Sequence, residues 1–170
     1  VVASAALIAV ILTPALAVPP APTQLPTGGQ VVAGQAGVSQ SGATMTINQT
    51  SQRAAVNWQT FDVGSDAQVN FVQPDSNSAI LNRVTGSNTS QIFGRITANG
   101  QVFLINPNGV YFSPGSSVNV GSFTATTHDI DDDDFMDGNL TFTRNDAIGT
   151  IENDGTIVVD LKGYFALLAP

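Results

Sequence analysis

Cysteine is absent from the 170 residues, which excludes disulfide staples, thiol nucleophiles and cysteine-ligated metal centres. Histidine occurs once, at His128, so a histidine-based triad or metal cluster would have one member and no evident partner. His128 reads instead as a surface or turn residue. Positive charge is scarce: five Lys and Arg stand against thirteen Asp and Glu, and the net charge of -8 repels phosphate backbones and anionic headgroups. Nucleic acid is not an expected partner. Sustained hydrophobicity is missing too, because the apolar run Val1–Leu12 (VVASAALIAVIL) is followed by Pro14, short of the roughly 20 residues a membrane-spanning helix needs. No G-x-S-x-G elbow, phosphate loop or dinucleotide fingerprint occurs, and Ser116-Ser117 lacks an elbow's context.

What is present suits strands. Charged residues make up only 11% of the chain, while Gly, Ser, Thr, Asn and Gln dominate the polar positions, a mixture for tight turns and sheets rather than charge-laced helices. The expected product is an exported all-β protein. The run Val1–Leu12 followed by Ala15-Leu16-Ala17 has the form of a signal-peptide hydrophobic region and A-x-A site, with cleavage expected after Ala17. No basic segment or Met precedes it, so residues 1–17 read as the remnant of a signal peptide. Residues 18–29, opening VPPAPTQLPT, read as an extended Pro-rich spacer without a core role.

From Gly28 onward short alternating segments recur between turn residues, and no stretch keeps a 3.6 period. Thr44-Met45-Thr46-Ile47, Val118-Asn119-Val120 and Ile157-Val158-Val159 alternate as half-buried strands do. Val102-Phe103-Leu104-Ile105 and Tyr164 to Leu168 are apolar on both faces, which requires something to cover their outer side as well. Turns fall at Asn99-Gly100, Asn106 to Gly109, Ser113 to Gly115, Asn153 to Gly155 and Lys162-Gly163. Two architectures satisfy this string. Asn99-Gly100 favours a type I′ hairpin and a sandwich, whereas Gly149 to Ile157 echoes itself as G-T-I and then N-D-G-T-I, a weak repeat signal for a solenoid.

Candidate chemistry is thin. The stretch Asp129 to Asn139 holds Asp131, Asp132, Asp133 and Asp134 in direct succession, but the alternating ligand spacing and closing Glu of a calcium loop are missing. A short helical turn fits better, with acids in its first turn, Phe135 and Met136 as apolar contacts and Gly138 as terminator. Trp58, Phe61 and Phe71 are bracketed by polar residues and read as core rather than as a sugar-stacking platform. No metal and no small-molecule cofactor are expected.

The segment Gln101 to Val110, reading QVFLINPNGV, resembles the NPNG block of the two-partner-secretion domain of filamentous haemagglutinins, related adhesins and haemolysins. Other blocks similar to the family follow in order: Val56 to Val63 (VNWQTFDV), Val69 to Pro74 (VNFVQP), Leu81 to Gly86 (LNRVTG), Ser90 to Gly94 (SQIFG) and Gly163 to Pro170 (GYFALLAP). The earlier NPNL-like tetrapeptide of many members is absent, and Ser87-Asn-Thr-Ser90 stands where some relatives carry a proline-containing turn. The resemblance implies an all-β fold, a right-handed parallel β-helix (a single-chain solenoid) with extra-helical β elements. It also implies a division into residues 1–17, 18–29 and a secretion domain at 30–170 that is interrupted at its carboxyl end. The implied function is the secretion and recognition module of a large exoprotein, non-enzymatic, exported through the periplasm to the cell surface or medium. Its implied partner is a TpsB-type outer-membrane transporter acting through periplasmic POTRA domains, with a host or neighbouring-cell surface engaged by the downstream region. Asn106, Pro107, Asn108 and Gly109 are the candidate recognition residues, although the same tetrapeptide is also good turn chemistry, Pro107 fixing φ and Gly109 accepting φ > 0. The alternatives are a β-helical polysaccharide-degrading enzyme with Asp131 to Asp134 as its acidic centre, or a carbohydrate-binding adhesin domain.

Overall fold

Residues 18–170 are described by the computed structural model, so the apolar leader at Val1–Ala17 lies outside the described residues. In chain order the strands are β1 (Gln30–Ser41), β2 (Thr44–Trp58), β3 (Gln68–Val72), β4 (Ala79–Val84), β5 (Ser90–Ile92), β6 (Arg95–Ala98) and β7 (Gln101–Ile105). After them come β8 (Val110–Phe112), β9 (Ser117–Val120), β10 (Ser122–Thr126), the short helix α1 (Asp132–Asp137), β11 (Ile151–Asn153), β12 (Thr156–Val159) and β13 (Phe165–Leu168). Every pairing except β1 with β2 is parallel. Strands three apart in the chain pair with each other, so the chain winds as a three-sided parallel β-helix. Right-twisted strands make such crossovers right-handed.

Each side is one stack. On the first face the front of β2 pairs with β3, then β6, β9 and β12 follow. The back of β2, from Arg53 to Trp58, turns onto the second face and leads β4, β7, β10 and β13. The third face is short, with β5, β8 and β11 preceded by a single parallel bridge from Val63 to Ile92. Inward residues of all three faces meet in one core that includes Ile47, Trp58, Val69, Ile80, Phe112 and Phe123. Trp58 Nε1 donates to Asn82 Oδ1 at 3.0 Å inside it, and the Asn82 amide nitrogen donates to Phe103 O at 3.2 Å, so the polar ends of both side chains are satisfied.

The expected hairpin at Asn99-Gly100 does not form. β6 and β7 lie on different faces, and neither residue takes the positive φ that a type I′ turn requires. The asparagine instead extends the coil below: Asn99 Oδ1 accepts from Gln73 N and its amide donates to Gln73 O, both at 2.8 Å. Gly100 is there for closeness, since a Cβ would press on Ser78 O at 2.6 Å. Gly121, one coil on, has its own Cβ direction blocked by Gly100 O at 2.7 Å.

The doubly apolar strand β7 is covered as its composition demands. Ala55, Leu81 and Phe103 stand in register on the outer side of the second face, and all are buried. Their cover is the excursion between β10 and β11, which carries α1. Phe135 of α1, fully buried, meets Phe103 edge-on at 5.3 Å, and Phe142 stacks on the same ring at 6.3 Å. Asp131 caps α1 by accepting from Asp133 N and Asp134 N, and Gly138 ends it at φ +86°. Two arginines fasten it. Arg83 reaches Asp129 at 2.8 Å, Asp132 at 2.6 Å and the carbonyl of Ile130, while Arg53 donates to Phe135 O at 3.0 Å and lies over its ring.

The Pro-rich segment is not a free spacer. Leu25 is 5% exposed and belongs to the main core, Asp66 N donates to Pro22 O at 2.8 Å, and Gly64 N donates to Gln24 O at 2.9 Å. An apolar leucine and two free carbonyls among the prolines are what dock it, features that a compositional reading averages away.

Candidate recognition site

Asn106-Pro107-Asn108-Gly109 forms the corner between β7 and β8, where the chain turns from the second face to the third. Asn106 is fully buried. Its amide nitrogen donates to Asn88 O and Ser90 Oγ, both at 2.9 Å, and its Oδ1 accepts from Asn108 N at 2.9 Å and from the Asn108 amide at 3.1 Å. The Asn108 amide also donates to Gly86 O at 2.9 Å. Both asparagines therefore bind the corner of the coil before. The coil after closes the other side: Asn106 N donates to Thr126 O, Gly149 N to Pro107 O and Val110 N to Thr150 O, at 3.0 to 3.1 Å. Gly109 sits at φ +103°, with a would-be Cβ 2.5 Å from Thr150 O. Pro107 and Asn108 remain half-buried, so only these two of the four present side-chain surface.

The other sequence candidates scatter. Trp58, Phe61 and Phe71 are buried in the core, as read. The acidic run holds α1 in place instead of converging: Asp131 is the cap, and Asp129 and Asp132 face Arg83. Among the described residues no three His, Asp or Glu stand together as metal ligands would. His128 lies in a bend after β10, half-buried.

One surface escaped the sequence reading. On the outer side of the third face Gln91, Tyr111 and Glu152 stand in register, and with Phe93, Thr89, Thr150 and Pro19 they line a groove of about 570 Å³. Tyr111 meets Phe93 edge-on at 5.9 Å, and its hydroxyl donates to Asp154 at 3.3 Å. Burial, then the nearby carboxylates of Asp154 and Glu152, push the Tyr111 phenol above its usual range. Gln91 N is bound by Asp62, whose carboxyl is raised by burial despite that hydrogen bond. The available signal was Val110-Tyr111-Phe112, in which inward Val and Phe force the tyrosine outward.

Comparison with known proteins agrees with this geometry. The TPS secretion domain family matches over residues 23–170. A heme/hemopexin-binding protein of Haemophilus influenzae (strain ATCC 51907 / DSM 11121 / KW20 / Rd) is 44% identical over 137 residues, 79% of this chain and 15% of that protein. Another heme/hemopexin-binding protein of Haemophilus influenzae is 44% identical over 100 residues, 59% of this chain and 11% of its own length. Among solved structures, the HMW1 secretion domain from Haemophilus influenzae superposes with a TM-score of 0.79 at 38% identity, covering 84% of this chain and 38% of that one. The chain thus spans a small part of its curated relatives, and it belongs to the TPS secretion domain family, the export modules of TpsA-type exoproteins.

Proposed function

We propose that this domain is read by the periplasmic POTRA domains of its TpsB-type transporter, that the Asn106–Gly109 corner contributes to the reading, and that its last coil templates the coils that follow. The observation that carries the proposal is the match of the family over residues 23–170 on a helix whose corner motif is tied to the coils on both sides. The template role is supported by the stacking itself, in which β13 pairs in parallel with β10 as β10 does with β7, each rung laid on the one before. The reading includes a leader cleaved after Ala17, release to the cell surface or medium, and contact with a host or neighbouring cell through downstream regions. The reading is non-catalytic, and in keeping with it two of the four successive aspartates hold α1, Asp131 as its cap and Asp132 on Arg83. Binding of heme or hemopexin belongs to the named relatives, which extend far beyond the matched region.

Asn108→Ala removes the amide that bridges to Gly86 and leaves Pro107 and Gly109 to set the backbone; it should cost about 1–2 kcal/mol. Gly109→Val should cost more, since a β-branched residue at positive φ is strained and its side chain meets Thr150. Binding to isolated POTRA domains is measured beside thermal unfolding for both. Weaker binding by a folded Asn108→Ala domain with a native β-sheet spectrum supports recognition of the corner; unchanged binding removes Asn108 from the recognition surface.

A further inference from the structure

The amino-terminal end of the described chain runs to the third-face groove. Gln91 Nε2 donates to Val18 O at 3.1 Å, and Pro19 is part of the groove wall together with Tyr111, Thr150 and Glu152. The strap behind it is fixed by Asp66 N on Pro22 O, Gly64 N on Gln24 O and the bridge from Thr27 to Thr60, so Val18 is held at this place on the helix. The groove is electrically one-sided. Glu152 of β11 lines it, Asp154 lies at the Tyr111 hydroxyl, Asp62 sits behind Gln91, and no Lys, Arg or His lines it. Cleavage after Ala17 would turn the nitrogen of Val18, an exposed residue tied to Gln91 at the edge of the groove, into an α-ammonium one residue from Pro19 in the wall that Glu152 and Tyr111 share. A cation of this kind is what such a site attracts.

We infer that the third-face groove is the seat of the mature amino terminus, in which the Val18 α-ammonium faces the Glu152 carboxylate beside Tyr111. The inference rests on the cleavage position proposed above. Its consequence is that processing adds a contact to the folded domain: the unprocessed chain has a neutral amide at the same nitrogen and lacks the ion pair. The strap is thereby held at both of its ends, through Leu25 in the core and through its new terminus on the third face.

The test uses processed protein recovered from the periplasm of a host lacking the cognate transporter. Intact mass first establishes whether the chain starts at Val18; any other start defeats the cleavage reading and leaves the groove to be tested on a chain made to begin at Val18. The titration of the α-amine is then followed by its reaction with a small acylating reagent across pH, in the folded protein and in urea. The folded amine should titrate above the roughly 7.7–8.0 of a free terminus and of the urea sample, by about half a unit. In Glu152→Gln the difference should vanish without a change in melting temperature beyond a few degrees, and in wild type it should shrink as salt is raised. An amine that titrates alike in folded wild type, Glu152→Gln and urea would overturn the seat.

Discussion

The first and second faces are built from the same parallel rungs, yet only the first shows the sequence pattern of a half-buried sheet. Along β9, Val118 and Val120 are buried and Asn119 is exposed; along β7, Val102, Phe103, Leu104 and Ile105 are all buried. The backbone does not cause the difference, because β7 (between β4 and β10) and β9 (between β6 and β12) are each paired in parallel on both sides. The cover does. On the second face the α1 excursion replaces water with Phe135, Ile130 and Phe142, so the outward positions are free to be apolar. On the first face Thr46, Asn70, Thr97 and Asn119 form an open polar ladder. Alternation is therefore a report on solvent, and its loss is a report on a third layer.

Substitutions can break this contrast in a definite order. Phe103→Ala empties the contact between sheet and excursion and should lower stability by about 3–5 kcal/mol in denaturant unfolding. A loss below 1 kcal/mol would mean that the excursion does not act as part of the core. Arg83→Met removes both ion pairs and the bond to Ile130 O. Because Asp129 and Asp132 remain about a third exposed, they can rehydrate, and the cost should be roughly 1–2 kcal/mol. Asp131→Ala uncaps α1 for about 1 kcal/mol. Hydrogen exchange should show the loosening within Asp132–Asp137 and leave β3 and β6 protected, since the helix opens locally before the rungs do. Thr97→Val, on the bare ladder, gives up only a partly exposed hydroxyl bond to Asn70 and should change stability by about 0.5 kcal/mol or less.

A weaker pH effect belongs to the corner between these faces. The Asp75 carboxyl is held below the usual carboxylate range by hydrogen bonds from Gln52 and from the backbone of Asn77 and Ser78. A depressed folded value contributes stability above the unfolded value of 3.8 and loses it as pH falls through the lower folded value. Unfolding midpoints of wild type and Asp75→Asn should therefore converge in acid and separate above pH 4 to 5. Equal separation throughout would assign the loss to packing.

The sequence was legible where local physics decides the outcome. Val118-Asn119-Val120 needs only a core on one side, Val102 to Ile105 needs one on both, and Asp131 with Gly138 brackets a helical turn using caps alone. It was illegible where partners come from other coils. Asn99-Gly100 is locally a good hairpin, and what cancels it is Gln73, a residue of the preceding coil that binds Asn99 with its own backbone. The NPNG corner read correctly as a turn, but its bonds to Gly86, Asn88 and Ser90 before it and to Gly149 after it depend on stacking. The strap's docking through Leu25 and the groove at Tyr111 and Glu152 were missed for the same reason.

The α1 excursion leaves the helix after β10 and returns at β11, and the rungs on either side ignore it: Ser122 still pairs with Gln101, and Ile151 still pairs with Val110. A corner can thus be lengthened by a folded unit without shifting the count of the coil. Such a helix behaves like a ruler whose graduations stay fixed while flags are attached between them. Foreign epitopes spliced into the outer part of the excursion, near Asn145-Asp146, should be displayed by a domain that keeps its register.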